Sequence, residues 1–346
     1  AGLERHLMGA SLSFGEAIAS ELSLGRVEFN NWLWWDDDLD AIKLSSSYKN
    51  LEVMLAVAEE QFREASYEDF VDPEEARVRR FLATLSWEFS RDQLLQFFLL
   101  DQHDRSAAYE FSESIDSDRV DAGDADLRWS GVSYLGEYQF ARSGDISVEL
   151  HYSKLSGDET LYGFSSPTST SSTVDSLQSY RIEAHASAVS LNWKPADLDN
   201  WSLLLLAAEA TGDGSPGDNR SSQFRQTGLQ GDSDPFGALL QPELSNLRVS
   251  GLGFAYRGFG NIGISLMAYE YRQHRLSTSP GALSLEPGTN GTDSDLGREI
   301  DLLIDIQTSK GFNIEIVFAS FEAGKAYENS RGNSSQYLLM GLEYHF

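Results

Sequence analysis

The chain has 346 residues, no cysteine and a formal net charge of −28, with 54 acidic against 26 basic side chains. Disulfide frameworks and thiolate metal sites are excluded, and so is nucleic-acid binding, which needs clustered Lys and Arg against phosphate. No run approaches the roughly 20 apolar residues of a membrane helix. The mean hydropathy of −0.34, with 14 Tyr and 19 Phe, suits strands that cross a bilayer on about 9–11 alternating residues each, although a large β-sandwich shows the same aromatic excess.

Alternation predicts fifteen strands, near 6–13, 20–29, 40–48, 51–59, 79–90, 93–103, 126–141, 146–156, 178–193, 201–211, 246–256, 262–276, 297–308, 312–324 and 336–346. In "EVMLAV", Val53, Leu55 and Val57 oppose Glu52, Met54 and Ala56. In "DISVELHYS", Ile146, Val148, Leu150 and Tyr152 oppose Ser147, Glu149, His151 and Ser153. In "EIDLLIDI", Glu299, Asp301 and Asp305 oppose Ile300, Leu302, Ile304 and Ile306. A period of two with one greasy face is the mark of a strand lying between two environments.

The connections alternate as well. Short turns at 14–19, 49–50, 91–92, 142–145, 194–200, 257–261 and 309–311 are interleaved with longer polar segments near 30–39, 60–78, 104–124, 157–176, 212–245, 277–296 and 325–335. Short turns on one side and long loops on the other are the layout of an outer-membrane barrel, and the acidic long segments place much of the negative charge outside the bilayer. The fold class expected is therefore all-β: a transmembrane antiparallel up-and-down β-barrel, with residues 1–346 as its single domain.

Fifteen is an odd number, and a closed antiparallel barrel needs an even one. The expectation is that one or three N-terminal strands are missing, or that strand assignment in residues 1–29 is off; no signal peptide precedes Ala1, so one is removed or the chain begins later. At the other end, "QYLLMGLEYHF" puts Leu338, Met340, Leu342, Tyr344 and Phe346 on one face. A terminal aromatic at a membrane interface is favourable. Leu342, Tyr344 and Phe346 also resemble the signal that the outer-membrane assembly machinery recognises.

Several segments, in order, are similar to the alginate-export porin family of Gram-negative outer membranes. They are "LSLGRVEFNNWLWWDDDLDAIKL", "ATGDGSPGDNRSSQFRQTGLQ", "LSNLRVSGLGFAY", "DLGREIDLLIDI" and "FASFEAGKAYENS", spanning residues 22–328. The most specific element is "FRQTGL" after a Gly-rich acidic loop. The resemblance implies an eighteen-stranded barrel (sixteen is the alternative), three strands preceding the first one here, and an arginine-bearing lumen that passes an anionic polysaccharide. Arg26 of "LGR" and Arg225 of "FRQTGL", with Gln226 beside it, match family positions, while Arg298 stands where the family often has Gln. Arg128 and Arg248 are pore candidates by position on strands, as are Arg80, Arg181 and Arg272. Glu299 and Asp301 join them on the expected inner face, with Glu52, Glu88, Glu149, Asp305, Glu315 and Glu343 as further inward acids. Rings of Arg select anions, whereas mixed linings also form structural ion pairs.

Enzymatic readings lack a signature. The six histidines make no His-x-x-x-His pair and no Gly-x-Ser-x-Gly elbow occurs, so metal hydrolysis and serine catalysis are unsupported. Glu149 beside His151 with a nearby Ser lacks a third positioned group. "GDGSPGDN" and "GTNGTDSD" do not have EF-hand spacing. No cofactor or metal is implied. The partners expected are the lipid bilayer and lipopolysaccharide, an anionic polysaccharide, the assembly machinery and a periplasmic export partner. Two other functions stay open at this point, a porin for small solutes and a surface-structural barrel whose acidic loops bind a partner.

Overall fold

The computed structural model describes residues 10–14, 18–31, 33–60, 78–105, 109–116, 123–165, 171–215, 217–229, 235–278, 281, 283, 288–307, 311–327 and 332–344. The predicted strand residues 6–9, the acidic stretch 61–77 and Phe346 lie outside these. Among the described residues no helix is long and apolar enough to cross a membrane.

Among the described residues, seventeen strands form one sheet: β1 (Ala10–Phe14), β2 (Ala19–Asn31), β3 (Trp35–Tyr48), β4 (Leu51–Glu60), β5 (Val78–Ser90), β6 (Gln93–Asp104), β7 (Ser114–Asp116), β8 (Gly123–Phe140), β9 (Gly144–Ser165), β10 (Ser171–Lys194), β11 (Trp201–Ala210), β12 (Arg220–Ser221), β13 (Leu247–Tyr256), β14 (Ile262–Gln273), β15 (Asp295–Gln307), β16 (Phe312–Ala323) and β17 (Ser334–Tyr344). All but β7 and β12 run as an antiparallel meander, each paired with the next, with β6 passing to β8 and β11 to β13. These fifteen are the strands that alternation predicts. The two short ones lie on the outer part of β10, β7 antiparallel and β12 parallel.

Burial is inverted relative to a water-soluble sheet. On β15, Ile300 is 54% exposed while its neighbour Glu299 is 1% exposed. The same face carries exposed Leu24, Ile42, Val53, Leu55, Val57, Leu85, Phe97, Leu150, Val189, Leu205, Leu252, Phe254, Leu266 and Phe318 on successive strands. Apolar side chains facing out and polar ones facing in are what a lipid-embedded strand requires. Toward the short turns this face ends in aromatic pairs: Trp87 with Phe89 at 5.6 Å, and Trp201 with Tyr256 at 4.7 Å between ring centroids. Such rings suit the headgroup level. The turns themselves are tight. Lys49 takes a left-handed φ of 54°, and Asn50 donates to the Glu88 carbonyl at 2.8 Å, tying one turn to the next strand.

At the other end the outward row changes to charge on almost every strand. Arg26 faces Asp40 at 3.8 Å, Arg79 meets Glu59 at 3.2 Å, Arg128 grips Asp101 at 2.7 Å, Lys154 meets Glu183 at 3.1 Å, Arg248 meets Glu209 at 2.7 Å and Arg272 meets Glu270 at 2.7 Å. On β13 the distance from Tyr256 to Arg248 is eight residues, about 26 Å of strand. Because strands of such barrels tilt, this spans most of the ~25 Å apolar band.

Two connections differ from the sequence reading. The polar segment 30–39 shrinks to residues 32–34, because Asp36, Asp38 and Asp40 continue β3 opposite Asn30, Glu28 and Arg26. Residues 157–165 and 171–176 of the next predicted loop are strand too: β9 and β10 stay paired out to Ser165 and Thr173. Both stretches lie beyond the apolar band, where water wets both faces and the alternation of hydropathy vanishes although the ladder continues.

The band makes a measurable claim. Leu252→Arg, near mid-height on the lipid face, should cost about 2–4 kcal/mol of folding free energy in liposomes. Ser265→Arg, on the inward face of the next strand, should cost less than half of that. Urea titration followed by tryptophan emission, with heat-modifiable gel migration as the folding check, distinguishes the two faces.

Candidate functional site: the inner face and the connection from β11 to β13

The connection from β11 to β13 enters the lumen, and its neck is a single residue. The Thr211 carbonyl accepts from Phe224 N at 2.9 Å and from Asn246 N at 3.2 Å, while Thr211 N and Oγ1 both donate to the His185 carbonyl of β10, at 3.0 and 3.1 Å. Asn246 completes the neck by exchanging side-chain bonds with Arg275, Nδ2 to the carbonyl at 3.0 Å and N to Oδ1 at 2.7 Å. Incoming and outgoing chain are thereby held together at the end of the β10–β11 pair.

From the neck, residues 224–229 cross to other walls. Phe224 is fully buried beside Trp34, 6.2 Å between ring centroids. The Arg225 carbonyl accepts from Trp129 Nε1 of β8 at 2.8 Å. The Thr227 hydroxyl donates to the Trp34 carbonyl, and the Leu229 carbonyl accepts from Asp36 N of β3 at 2.5 Å. Leu33, Trp34 and Trp35, all at most 1% exposed, thus anchor this segment.

Residues 236–240 dock on β14 and β15. Glu299 accepts from Leu239 N at 2.7 Å and Leu240 N at 3.0 Å, and Asp301 accepts from Ala238 N at 3.0 Å. The Tyr271 hydroxyl donates to the Phe236 carbonyl at 2.7 Å and lies 3.2 Å from Glu299. Gly237 has φ of 125°, and a Cβ there would overlap the Tyr271 hydroxyl. Only glycine allows both this backbone angle and the close approach. The wall strand therefore supplies carboxylates where the plug supplies unpaired N–H groups, each charge-assisted bond contributing about 1.5–3 kcal/mol.

Between these anchors lies an apolar core inside the barrel. Phe224, Leu229, Phe236, Leu239, Leu240 and Leu244 of the plug pack with wall residues such as Trp34, Trp35, Leu100, Trp129, Leu155 and Ile182. Gln226 Oε1 accepts from Leu244 N at 2.7 Å, so that residue stitches the plug to itself. This core covers the inner face of the sheet at that height. On the side of the short turns it leaves a cavity of about 670 Å³ lined by Glu137, Ser147, Glu149, Ser190, Asn192, Lys194 and Tyr269, among others.

The charged candidates divide between the two faces. Arg225 is inside, and its two Nη atoms hold both carboxylate oxygens of Glu159 on β9, Nη2 to Oε2 at 2.5 Å. Glu299 and Asp301 are inside on β15. Arg26, Arg128, Arg248 and Arg298, taken in the sequence reading as pore-lining, share the face of the lipid row. Their parity is that of Leu24, Ser130, Leu252 and Ile300, and the first three belong to the outer belt of ion pairs. Arg80 is buried on the inner face and donates to Gln102 at 3.0 Å. Leu342 is 65% exposed on the outward row of β17, and Tyr344 closes that strand.

Sequence reasoning missed Glu159, Thr211 and Tyr271. Glu159 has the parity of Leu155, which counting along β9 from the apolar band would have revealed; the other two depend on where the plug returns. The Glu149 and His151 pair does acquire a serine, Ser133 Oγ at 2.8 Å from His151 Nδ1, with Glu149 3.9 Å from Nε2. Ser133 is 1% exposed, so no scissile bond reaches it in this conformation.

An exposed apolar belt, charge above it and inward polar side chains define a β-barrel of the outer-membrane type. The solved structures agree: OccK5 (OpdH) of Pseudomonas aeruginosa superposes with a TM-score of 0.56 at 10% identity, covering 94% of this chain and 78% of that one. At that identity the likeness establishes the fold. Residues 24–340 match the family described as alginate export, and the chain belongs to that family. The alginate production protein AlgE of Azotobacter vinelandii is 23% identical over 300 residues, which is 82% of this chain and 60% of that protein. The chain thus spans less than two thirds of the length of the curated relative.

The docking of residues 236–240 is testable. Glu299→Ala removes the acceptor of two plug N–H groups and should destabilise the docked state by about 2–4 kcal/mol. Single-channel current in a planar bilayer should then rise several-fold, whereas Glu322→Ala, on the outward face, should leave it unchanged.

Proposed function

We propose that this barrel carries an anionic polysaccharide of the alginate type passively across the outer membrane. The family supports the substrate class. The observation that carries the reading is Arg225, the one candidate arginine of the ordered family motifs that stands inside the lumen, presented by a plug whose backbone is fixed on both sides of it. Guanidinium groups match carboxylates with two parallel bonds, and a uronate polymer offers one carboxylate per sugar. Glu299 and Asp301 serve a different purpose, holding the plug rather than selecting ions. Conduction requires residues 236–240 to undock while residues 224–229 stay on the wall, because a hydrated polymer does not pass an apolar core.

The cavity of about 670 Å³ beneath the plug favours a second reading, a porin for small solutes, since its polar lining matches a molecule rather than a polymer. In either case the belt of ion pairs above the apolar band meets the headgroup layer, which in this membrane includes lipopolysaccharide, and the assembly machinery inserts the barrel.

The deciding experiment is the reversal potential of single channels under a salt gradient, repeated with polyuronate on one side. Expected are anion preference and polymer block, with Arg225→Ala shifting the reversal potential toward cations and weakening block about tenfold, the scale of one lost charge-assisted pair. Conductance without polymer block favours the small-solute porin.

A further inference from the structure

The Arg225 and Glu159 pair has an asymmetry that a merely structural ion pair does not need. Glu159 is the buried partner, with 9% of its side chain exposed, whereas the Arg225 side chain is 37% exposed. The arginine is thus reachable by solvent and the carboxylate is largely not. Across the ladder Glu159 faces Ala125 and Tyr180, and Arg225 is its single ion-pair partner among the described residues. The Arg225 backbone, meanwhile, does not depend on its side chain. Its carbonyl is held by Trp129, Phe224 N by Thr211 and the Thr227 hydroxyl by Trp34.

The Glu159 carboxylate, with 9% of its side chain exposed, is the group that would be a stranded charge without a counterion, at a cost of several kcal/mol. Arg225 supplies that counterion when no ligand is bound. We infer that Glu159 is an internal stand-in for the substrate's carboxylate. It neutralises Arg225 in the empty barrel and gives it up, one bidentate pair for another, when a sugar carboxylate arrives. This rests on the polysaccharide reading above and adds the residue that sets affinity. Because the exchange leaves the buried Glu159 carboxylate without its cation, binding is weak by construction, which suits a polymer that must move on. Neutral sugars cannot make the exchange, so Glu159 also sets specificity.

The test measures binding of a defined-length oligouronate, and of a neutral oligosaccharide of the same length, to the full chain in detergent by calorimetry. Heat-modifiable migration confirms folding of each variant. Glu159→Gln, which no longer competes, should bind oligouronate about tenfold more tightly than the unmodified chain. Glu159→Asp, whose carboxylate is drawn back by one methylene, should gain less. The gain should vanish when Arg225→Gln is added, and the neutral sugar should be indifferent to all three. If the unmodified chain binds oligouronate and Glu159→Gln binds it equally or more weakly, the stand-in role is overturned while the transport reading survives. If neither binds it although the channel conducts salt, both are overturned.

Discussion

Everything in this molecule depends on a backbone that has no water to turn to. Within hydrocarbon each N–H and C=O must find its partner in the chain itself, because an unsatisfied one costs several kcal/mol. A meander of long antiparallel strands meets that demand with ladders for every strand between β1 and β17, and the side chains then sort by environment: Ile300 to lipid, Glu299 to the interior. The inward carboxylates that would be prohibitive on the other face become usable, and the plug is attached to them.

The plug meets the same demand in a different way. Residues 236–240 have no strand neighbour to bond with, so their N–H groups turn to Glu299 and Asp301. Arg225 brings a charge into an apolar setting and is matched by Glu159. Fixed wall charges thus hold a segment whose own apolar side chains complete the seal. Burial supplies the bulk of the adhesion, while the polar contacts decide which residues sit where.

The strands were legible because lipid on one side and a polar interior on the other impose a period of two, and that signal is strongest within the apolar band. It fades above the band, which is why the start of β3 and the outer halves of β9 and β10 read as loops. The same fading misled the reading of the arginines. Arg128 and Arg248 lie on strands just where the outward row changes from Leu and Phe to charge, so their polarity looked like a pore lining. Counting parity from Val132 or Leu252 puts them outside. Arg225 was found through its motif rather than through any periodicity, and Glu159 was not found at all. Its role is set by a contact 66 residues away in sequence, which no local pattern encodes.

The neck at Thr211 has a further implication for how the barrel opens. One carbonyl collects both Phe224 and Asn246, and His185 anchors the residue to the sheet, so chain ends at the plug's base stay together whether its tip is docked or not. A swing of the tip then leaves the strand ladders untouched and changes little of the loop-closure entropy, which is set by how the ends are joined. Opening is a hinged-door problem rather than an unfolding problem. Its energetic scale is that of the docked contacts alone, well separated from the stability of the wall.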